Sequence, residues 1–231
     1  MVTSSPRLPL VPGQVIRQPS ASTSDEDLER SVELLRQVAS GDGPERLLRL
    51  YTPAPTLALT RRESLMPGYD VAVSAAERLG FTPAIRPTGG RAAAYDETCL
   101  VFDLVEREES HADPTALFAQ AGGTIVDVLR GLGVDARLGE VPGEYCPGEY
   151  SINARGAVKL VGTSQRGVRG ARLLSGMLAF GPVDRFVAVL TEANAALGLE
   201  WDPRTFGTLR TEAPAVSREE VEDALAAALI A

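Results

Sequence analysis

Apolar and polar residues alternate along this chain with two periods, one typical of helices and one typical of strands. Between Ser24 and Gly41 the leucines and valines are three or four positions apart, which predicts an amphipathic helix. Ser24 and Asp27 have the spacing of a capping box, and Gly41 is a typical helix end. The same period predicts four later helices, over residues 70–79, 113–132, 183–197 and 217–229. Ser217 and Glu220 form the capping box of the last one.

Short runs of β-branched and other apolar residues predict the strands. These runs occupy residues 47–51, 56–60, 84–86, 99–105, 136–140, 150–153, 158–162 and 171–180. Because strands and helices follow one another without regular βαβ alternation, the sequence predicts an α+β fold with a mixed, largely antiparallel sheet flanked by helices. Four prolines predict an irregular arm over residues 1–20. The predicted catalytic domain covers residues 21–200, with a connector and a helix over 201–231 packed on it.

The composition excludes several classes of function. At 231 residues, 44% of them hydrophobic, the chain can bury a substantial core, and its net charge of −8 argues against binding nucleic acid or an anionic membrane. The sequence has no apolar run of membrane-spanning length, no recognisable secretory signal and only two cysteines, so we expect a cytoplasmic protein. His111 is the sole histidine and is expected in an exposed loop, so neither a Ser-His-Asp triad nor a metal site is predicted.

A glycine pair between two predicted strands forms the first segment that carries candidate chemistry. The segment contains Arg86, Thr88, Gly89, Gly90, Arg91 and Ala92. A plain hairpin turn is one interpretation, because glycine adopts positive φ at little cost. The other is a backbone cradle for an acyl chain or a phosphate-bearing intermediate, since arginines bracket the glycines and alanines follow them. The segment matches neither a P-loop nor a dinucleotide-binding fingerprint.

Cys146 and Lys159 are a candidate nucleophile and a candidate cation. A Pro-Gly pair follows Cys146, so a turn should hold its thiol near the surface, as a reactive thiol requires. The alternative is an inert buried cysteine, which is our prediction for Cys99. Lys159 can supply positive charge to the thiol if antiparallel strands bring it close, although a lysine on a strand is more often solvated. Small and hydrogen-bonding residues follow it at Gly162, Thr163 and Ser164.

Together these two segments resemble the lipoate–protein ligase and octanoyltransferase family, which shares its catalytic domain with the biotin ligases. The family's Arg-x-Ser/Thr-Gly-Gly-x-Ala loop matches residues 86–92, and its following His-Asp pair matches Tyr95 and Asp96. The family's lysine motif matches residues 158–166 and places the family lysine at Lys159. The resemblance extends over roughly residues 24–200 and implies a biotin/lipoate ligase-like catalytic domain.

Members of that family that transfer acyl groups between proteins carry a thioester-forming cysteine at about the place of Cys146. The resemblance therefore implies transfer of an octanoyl or lipoyl group to a lysine of a carrier domain, without a cofactor. The carriers would be lipoyl domains of 2-oxoacid dehydrogenases or the glycine cleavage H protein, with acyl carrier protein among the candidate donors. In this interpretation Lys159 polarises the acyl carbonyl. Substrate would be bound by Arg86, Thr88, Gly89, Gly90, Arg91, Ala92, Tyr95, Asp96, Gly162, Thr163 and Ser164.

Two other functions stay open at this point. An ATP-dependent lipoate–protein ligase would use the same residues with ATP and Mg²⁺ to form a lipoyl-adenylate, and it would not need Cys146. A non-catalytic protein that binds a lipoyl group or a carrier domain is the second alternative. It is motivated by Tyr95, which stands where histidine is common, and by the single lysine where two often occur.

Overall fold

The helices and strands alternate in the mixed order that the sequence predicts. A computed structural model describes residues 13–41, 43–108, 113 and 115–230, so His111 lies outside the described residues. The helices are α1 Ser24–Ser40, α2 Tyr69–Arg78, α3 Ala116–Gly131, α4 Asp184–Ala196, α5 Leu209–Glu212 and α6 Arg218–Ile230. The strands are β1 Gln14–Gln18, β2 Arg46–Tyr51, β3 Thr56–Leu59, β4 Thr82–Ile85, β5 Ala93–Tyr95, β6 Cys99–Arg107, β7 Ala136–Leu138, β8 Ile152–Ala154, β9 Val158–Val168 and β10 Ala171–Ala179. Short 3₁₀ helices occupy Glu63–Leu65 and Pro203–Thr205.

The ten strands within the described residues form one large sheet and one small sheet. The large sheet has the order β1-β2-β6-β10-β9-β8-β7 and is antiparallel except for the β1–β2 pair. The small sheet has the order β4-β3-β5, in which β3 is parallel to β4 and antiparallel to β5. The predicted α+β fold with a mixed, largely antiparallel sheet is therefore confirmed.

Side chains of the large sheet alternate between two buried faces, as the period of two along a strand requires. On one face, Leu50 and Phe102 join the core that α3 and α6 cover. On the other face, Val101 and Met177 pack towards the small sheet and α4, while Leu173 packs under α1. The second face matters for function, because the glycine segment and α1 leave a cleft above it.

The chain departs from the prediction at its first strand and its first helix cap. The sequence predicts that residues 14–18 are irregular, but they form β1, which pairs with β2. This pairing satisfies backbone groups of β2 that would be exposed if β2 were the edge strand. The capping box of α1 is formed by Thr23 and Glu26, one residue earlier than predicted. Tertiary contacts explain the shift, because Ser24 bonds Thr56 and Asp27 pairs with Arg49.

The hairpin interpretation of the glycine segment is wrong. The segment joins β4 to β5, and these strands lie on opposite sides of β3, so the loop crosses over a strand instead of reversing beside one. The predicted capping box of α6 is confirmed, since Ser217 and Glu220 each bond the backbone N–H of the other.

The connector before α6 packs against the middle of the molecule. Phe206 stacks between Tyr145 and Phe186, with ring centroids 5.0 and 5.6 Å away. The backbone N–H of Gly207 donates to the carbonyl oxygen of Lys159 at 2.9 Å. The connector therefore supports the strand that carries Lys159.

Candidate active site

The cleft above the large sheet brings most of the predicted site residues together. Its space between protein atoms is about 610 Å³, its open mouth included. Eight of the predicted residues line it: Arg86, Thr88, Tyr95, Cys146, Lys159, Gly162, Thr163 and Ser164. Leu28 and Ser31 of α1 and Met177 of β10 complete much of its wall. The cleft wall is therefore mostly apolar and also presents hydroxyl, ammonium and guanidinium groups.

Cys146 occupies a strained turn at the mouth of this cleft. Its φ is +47°, a conformation that a non-glycine residue adopts only when its surroundings impose it. The half-buried sulfur accepts a hydrogen bond from the backbone N–H of Arg91 at 3.1 Å, and Nη2 of Arg86 lies 3.9 Å away. Both groups would stabilise negative charge on a thiolate, so this cysteine has the surroundings of a nucleophile.

Of the two glycines in the loop, Gly90 is the one that the site needs, because a side chain there would collide with its neighbours. Its φ is +104°, and a Cβ at this position would lie 2.6 Å from Arg86 Nη2 and 2.8 Å from Cys146 Sγ. Gly89 has open space around the corresponding position. The arginine is fixed across the loop, because its Nη2 donates to the carbonyl oxygen of Arg91 at 2.6 Å. The close approach of loop to sulfur is therefore possible only with glycine at position 90.

Lys159 is buried beneath the Cys146 turn. Its ammonium donates to the carbonyl oxygen of Cys146 at 2.8 Å, to that of Tyr145 at 3.2 Å and to Glu144 Oε1 at 3.2 Å. An ammonium has three donors, so all three are used. Lys159 therefore lies close to Cys146, as predicted, but its ammonium binds the backbone of the turn. Among the described residues, the cation that contacts the sulfur is Arg86.

Glu144 is the buried partner of Lys159. Its carboxylate is fully buried, and its Oε1 also accepts from Ser151 Oγ at 2.5 Å and from the Gly148 N–H at 3.1 Å. A buried charge needs such partners, because desolvation without them is costly. The sequence offered no signal for this role, since Glu140 and Glu149 flank it and are exposed.

Glu63 is a second buried glutamate that sequence reasoning missed. Its Oε1 accepts from the Ala92 N–H at 2.7 Å, and its Oε2 accepts from the N–H and hydroxyl of Thr60, both at 2.8 Å. Glu63 therefore fixes the end of the glycine loop. Beside it, the hydroxyls of Thr88 and Ser164 are 2.8 Å apart and join the loop to β9.

Asp96 does not point into the cleft. Its carboxylate accepts from the N–H and hydroxyl of Thr98 and pairs with Arg185 at 2.9 Å. Cys99 is buried, as predicted, and burial raises the pKa of its thiol to about 12. Of the two cysteines, only Cys146 is therefore partly exposed and has a sulfur that contacts a guanidinium and a backbone N–H.

Three tyrosines with buried rings line the cleft, and we call Tyr51, Tyr95 and Tyr145 the pocket tyrosines. Burial raises the pKa of each phenol well above 10, so all three stay protonated at neutral pH. Gly162 leaves space for Lys159 beside them, since a Cβ there would lie 3.0 Å from Lys159 Cε.

A second, more open cleft meets the first at Cys146. Gly89, Gly90, Thr163 and Ser164 line it, and its space is about 1060 Å³. Phe118 and Tyr150 stack in its wall with ring centroids 5.6 Å apart. Cys146 therefore lies where the two clefts meet, so its sulfur can be approached from either of them.

Among the described residues, no group of three or more histidine, cysteine, aspartate or glutamate side chains is arranged to hold a metal ion. None of the helices in the described ranges is both long and apolar enough to cross a membrane.

The chain matches the family described as lipoyl protein ligase A/B catalytic domain over residues 25–230. A curated relative from Exiguobacterium sp., an octanoyl-GcvH:protein N-octanoyltransferase, is 28% identical over 124 residues. That match covers 54% of this chain and 44% of the relative, so the chain spans less than half of the relative's length.

Solved structures with a similar fold include a lipoate-protein ligase A bound with ATP. It superposes with a TM-score of 0.76 at 23% identity, covering 94% of this chain and 83% of that chain. A biotin protein ligase from Aquifex aeolicus, in complex with biotin and ATP, superposes with a TM-score of 0.51 at 8% identity and covers 94% and 68%. The predicted biotin/lipoate ligase-like fold is thereby confirmed.

Proposed function

Because the chain belongs to the lipoyl protein ligase A/B catalytic domain family, we propose that it transfers an octanoyl or lipoyl group to a carrier-domain lysine through a thioester on Cys146. The observation that carries this proposal is the environment of the sulfur. The Arg91 N–H and the Arg86 guanidinium both face it, at the junction of two cavities. Similarity to the octanoyl-GcvH:protein N-octanoyltransferase from Exiguobacterium sp. supports the same reaction class.

The first step forms the acyl-enzyme. The Cys146 thiolate attacks the acyl carbonyl of a donor thioester or amide, and a carbon–sulfur bond forms. The tetrahedral intermediate then expels the donor's thiol or lysine amine, which takes up a proton as it leaves. The acyl chain lies in the enclosed cleft, and the donor departs through the open one.

The second step returns the thiol. The neutral ε-amine of the acceptor lysine attacks the thioester carbonyl, an amide bond forms, the carbon–sulfur bond breaks, and the amine loses a proton to solvent. A thioester is a better acyl donor than an amide, so this step needs no nucleotide. Carriers of the glycine cleavage H class, lipoyl domains and acyl carrier proteins are the donors and acceptors to test.

Lys159 contributes in two ways to this proposal. Its ammonium holds the carbonyl oxygens of Tyr145 and Cys146, and so it maintains the strained turn that presents the thiol. Its positive charge also lies beneath the site where the acyl oxygen becomes negative. To donate directly to that oxygen, the ammonium must give up one of its three present hydrogen bonds. The two longer ones, to Tyr145 and to Glu144, are both 3.2 Å, and the bond to Tyr145 is one that it could give up.

An ATP-dependent ligase is the second candidate, because the open cleft beside Cys146 has room for a nucleotide. Its stacked Phe118 and Tyr150 form an aromatic wall, and Arg86 lies near enough to meet a phosphate. This function would require ATP with Mg²⁺ and would proceed without Cys146.

Intact-protein mass spectrometry distinguishes these functions. We expect incubation with an octanoyl-carrier protein, without ATP, to add one octanoyl mass that hydroxylamine removes. Cys146→Ser should abolish the adduct, while the matched variant Cys99→Ala retains it. Acceptor lipoylation only with ATP and free lipoate, unaffected by Cys146→Ser, would support the ligase instead. Carrier binding without turnover under either condition would support a binding protein.

A further inference from the structure

Arginines without an acidic partner lie beside the last residues of the glycine segment. Twelve arginines in the described part of the chain form an ion pair with an aspartate or a glutamate. Arg61, Arg62 and Arg91 have no such partner among the described residues, although Arg61 and Arg62 are exposed and Arg91 is half-exposed. Their positive charge is therefore available to a partner outside this chain.

A buried side chain fixes the turn at residues 60–63 to the glycine segment. Glu63 Oε2 accepts from the Thr60 N–H at 2.8 Å, and its Oε1 accepts from the Ala92 N–H at 2.7 Å. The neighbouring N–H, of Arg91, donates to the sulfur at the cleft mouth at 3.1 Å. Only a few hydrogen-bonded backbone groups therefore separate the turn with its two exposed arginines from the proposed nucleophile.

An exposed leucine adjoins this turn. Leu65 is 75% exposed, more than any other large apolar side chain of the described residues. Its backbone N–H donates to the carbonyl oxygen of Arg62 at 3.2 Å, and the N–H of Met66 donates to that of Glu63 at 2.9 Å. The Met66 side chain packs against the core. Because both the turn and the next residue are anchored, Leu65 is held at the surface.

We call Arg61, Arg62, Leu65 and Arg91 the arginine patch. The chain has a net charge of −8, so as a whole it repels an acidic protein. Charges act over about 8 Å at physiological ionic strength, so three unpaired arginines make the local potential positive. Arginine and exposed apolar side chains are also typical of the centres of protein interfaces. The patch therefore has the composition of a surface that binds an acidic protein.

The other end of the glycine segment has the opposite charge. There Pro87 shares a groove with α1, which contributes Asp25, Glu29 and Glu33 to the groove wall. An acidic partner is attracted at the arginine patch and repelled at α1. This asymmetry fixes the orientation in which such a partner approaches the cleft mouth.

We propose that the arginine patch is the docking surface for a carrier domain whose surface around the modified lysine is acidic. Docking there places that lysine beside the Arg91 N–H and the Cys146 sulfur, which are 3.1 Å apart. The inference rests on the proposed function for the identity of the partner as a carrier domain. The acidic character of the partner follows from the charge of the patch.

The test compares a protein donor with a small one in the double variant Arg61→Glu with Arg62→Glu. The protein donor is an octanoyl glycine cleavage H protein of net negative charge, and the small donor is the uncharged octanoyl thioester of N-acetylcysteamine. Acylation of Cys146 is followed by intact mass. With the H protein at low salt, we expect the second-order rate constant to fall at least about tenfold, because steering becomes repulsion. With the small thioester it should stay within about twofold.

The matched control is Arg169→Glu with Arg210→Glu, which makes the same change in net charge. Both arginines are exposed, lie outside the patch and have no acidic partner among the described residues. This control should change either rate by less than about threefold. Salt at about 0.5 M shortens the range of charges to about 4 Å and should shrink the effect of the patch variant. Equal losses with both donors, an equal loss in the control, or no loss with the H protein would overturn the proposal.

Failure of the proposed function has a different signature. If neither donor acylates Cys146 in the parent protein, the thioester mechanism is wrong, and calorimetric titration with unacylated H protein then tests docking alone. Weaker binding by the patch variant than by the control would support the docking surface, whereas equal binding, or none by the parent, would overturn it. If both donors acylate the parent and the patch variant at equal rates, the mechanism survives and the role of the patch is wrong.

Discussion

Glu144→Gln tests how the buried ion pair under the Cys146 turn contributes to stability. The substitution removes one charge with almost no change in size. In the native protein, Glu144 Oε1 accepts from Ser151, Gly148 and Lys159, and Oε2 accepts from the Val141 N–H at 3.2 Å. The glutamine carbonyl can take the place of Oε1. Its NH₂ group then faces the Val141 N–H, so two donors oppose each other.

The expected cost follows from these contacts. Lys159 is only 3% exposed, and leaving its buried charge without an anionic partner costs about 3–5 kcal/mol. A buried donor left unpaired costs about 1–3 kcal/mol more. Both penalties arise from the same desolvated turn and are not additive, so we expect a total loss of about 3–5 kcal/mol. That is a large share of a typical domain's stability.

Urea unfolding at neutral pH measures this loss. The matched control is Glu140→Gln, an exposed glutamate in the same loop, which should change the free energy of unfolding by less than about 0.5 kcal/mol. Adding Lys159→Met to Glu144→Gln removes the ammonium that has lost its anionic partner, and it should recover part of the lost free energy of unfolding. A loss below about 1 kcal/mol in Glu144→Gln, or no recovery in the double variant, would refute the reasoning.

Three further outcomes are expected. Gly90→Ala should slow acyl transfer at least tenfold and lower the melting temperature, whereas Gly89→Ala should change neither; equal effects would contradict the assigned contacts. Iodoacetamide should modify Cys146 in the folded protein and reach Cys99 only in denaturant, as intact mass would record. The pocket tyrosines should ionise only on unfolding. Their folded pKa values exceed the unfolded value of 10.0, so stability holds below that pH and falls as pH rises above it. Ionisation of all five tyrosines before unfolding, followed by absorbance at 295 nm, would contradict this.

The prediction succeeded where one local signal was sufficient. Ser217 and Glu220 form their capping box because nothing else competes for those side chains. The equivalent prediction at Ser24 and Asp27 was one residue late, because Thr56 and Arg49 hold these side chains in the core. Local sequence signals therefore determine that a helix forms, and tertiary contacts determine the residue at which it begins.

The candidate site shows the same division. Cys146 and Lys159 could be selected from the sequence because a cysteine before a Pro-Gly turn and a lysine beside glycine are locally recognisable. Glu144 could not be selected, since its importance comes from complete burial and from the ammonium it meets. Nothing in the spacing of residues predicts which of several neighbouring glutamates is buried.

The sequence by itself determined the periods of the helices and strands, the mixed α+β order and the two motifs that carry the chemistry. These features depend on neighbours a few positions apart, so a single chain displays them. The tertiary structure alone decided that Arg86 contacts the Cys146 sulfur, that Lys159 binds the backbone of the turn, and that Tyr51 lines the same cleft as these residues. These contacts join residues far apart in the chain, and their geometry follows from strand order and register, which local periodicity does not encode.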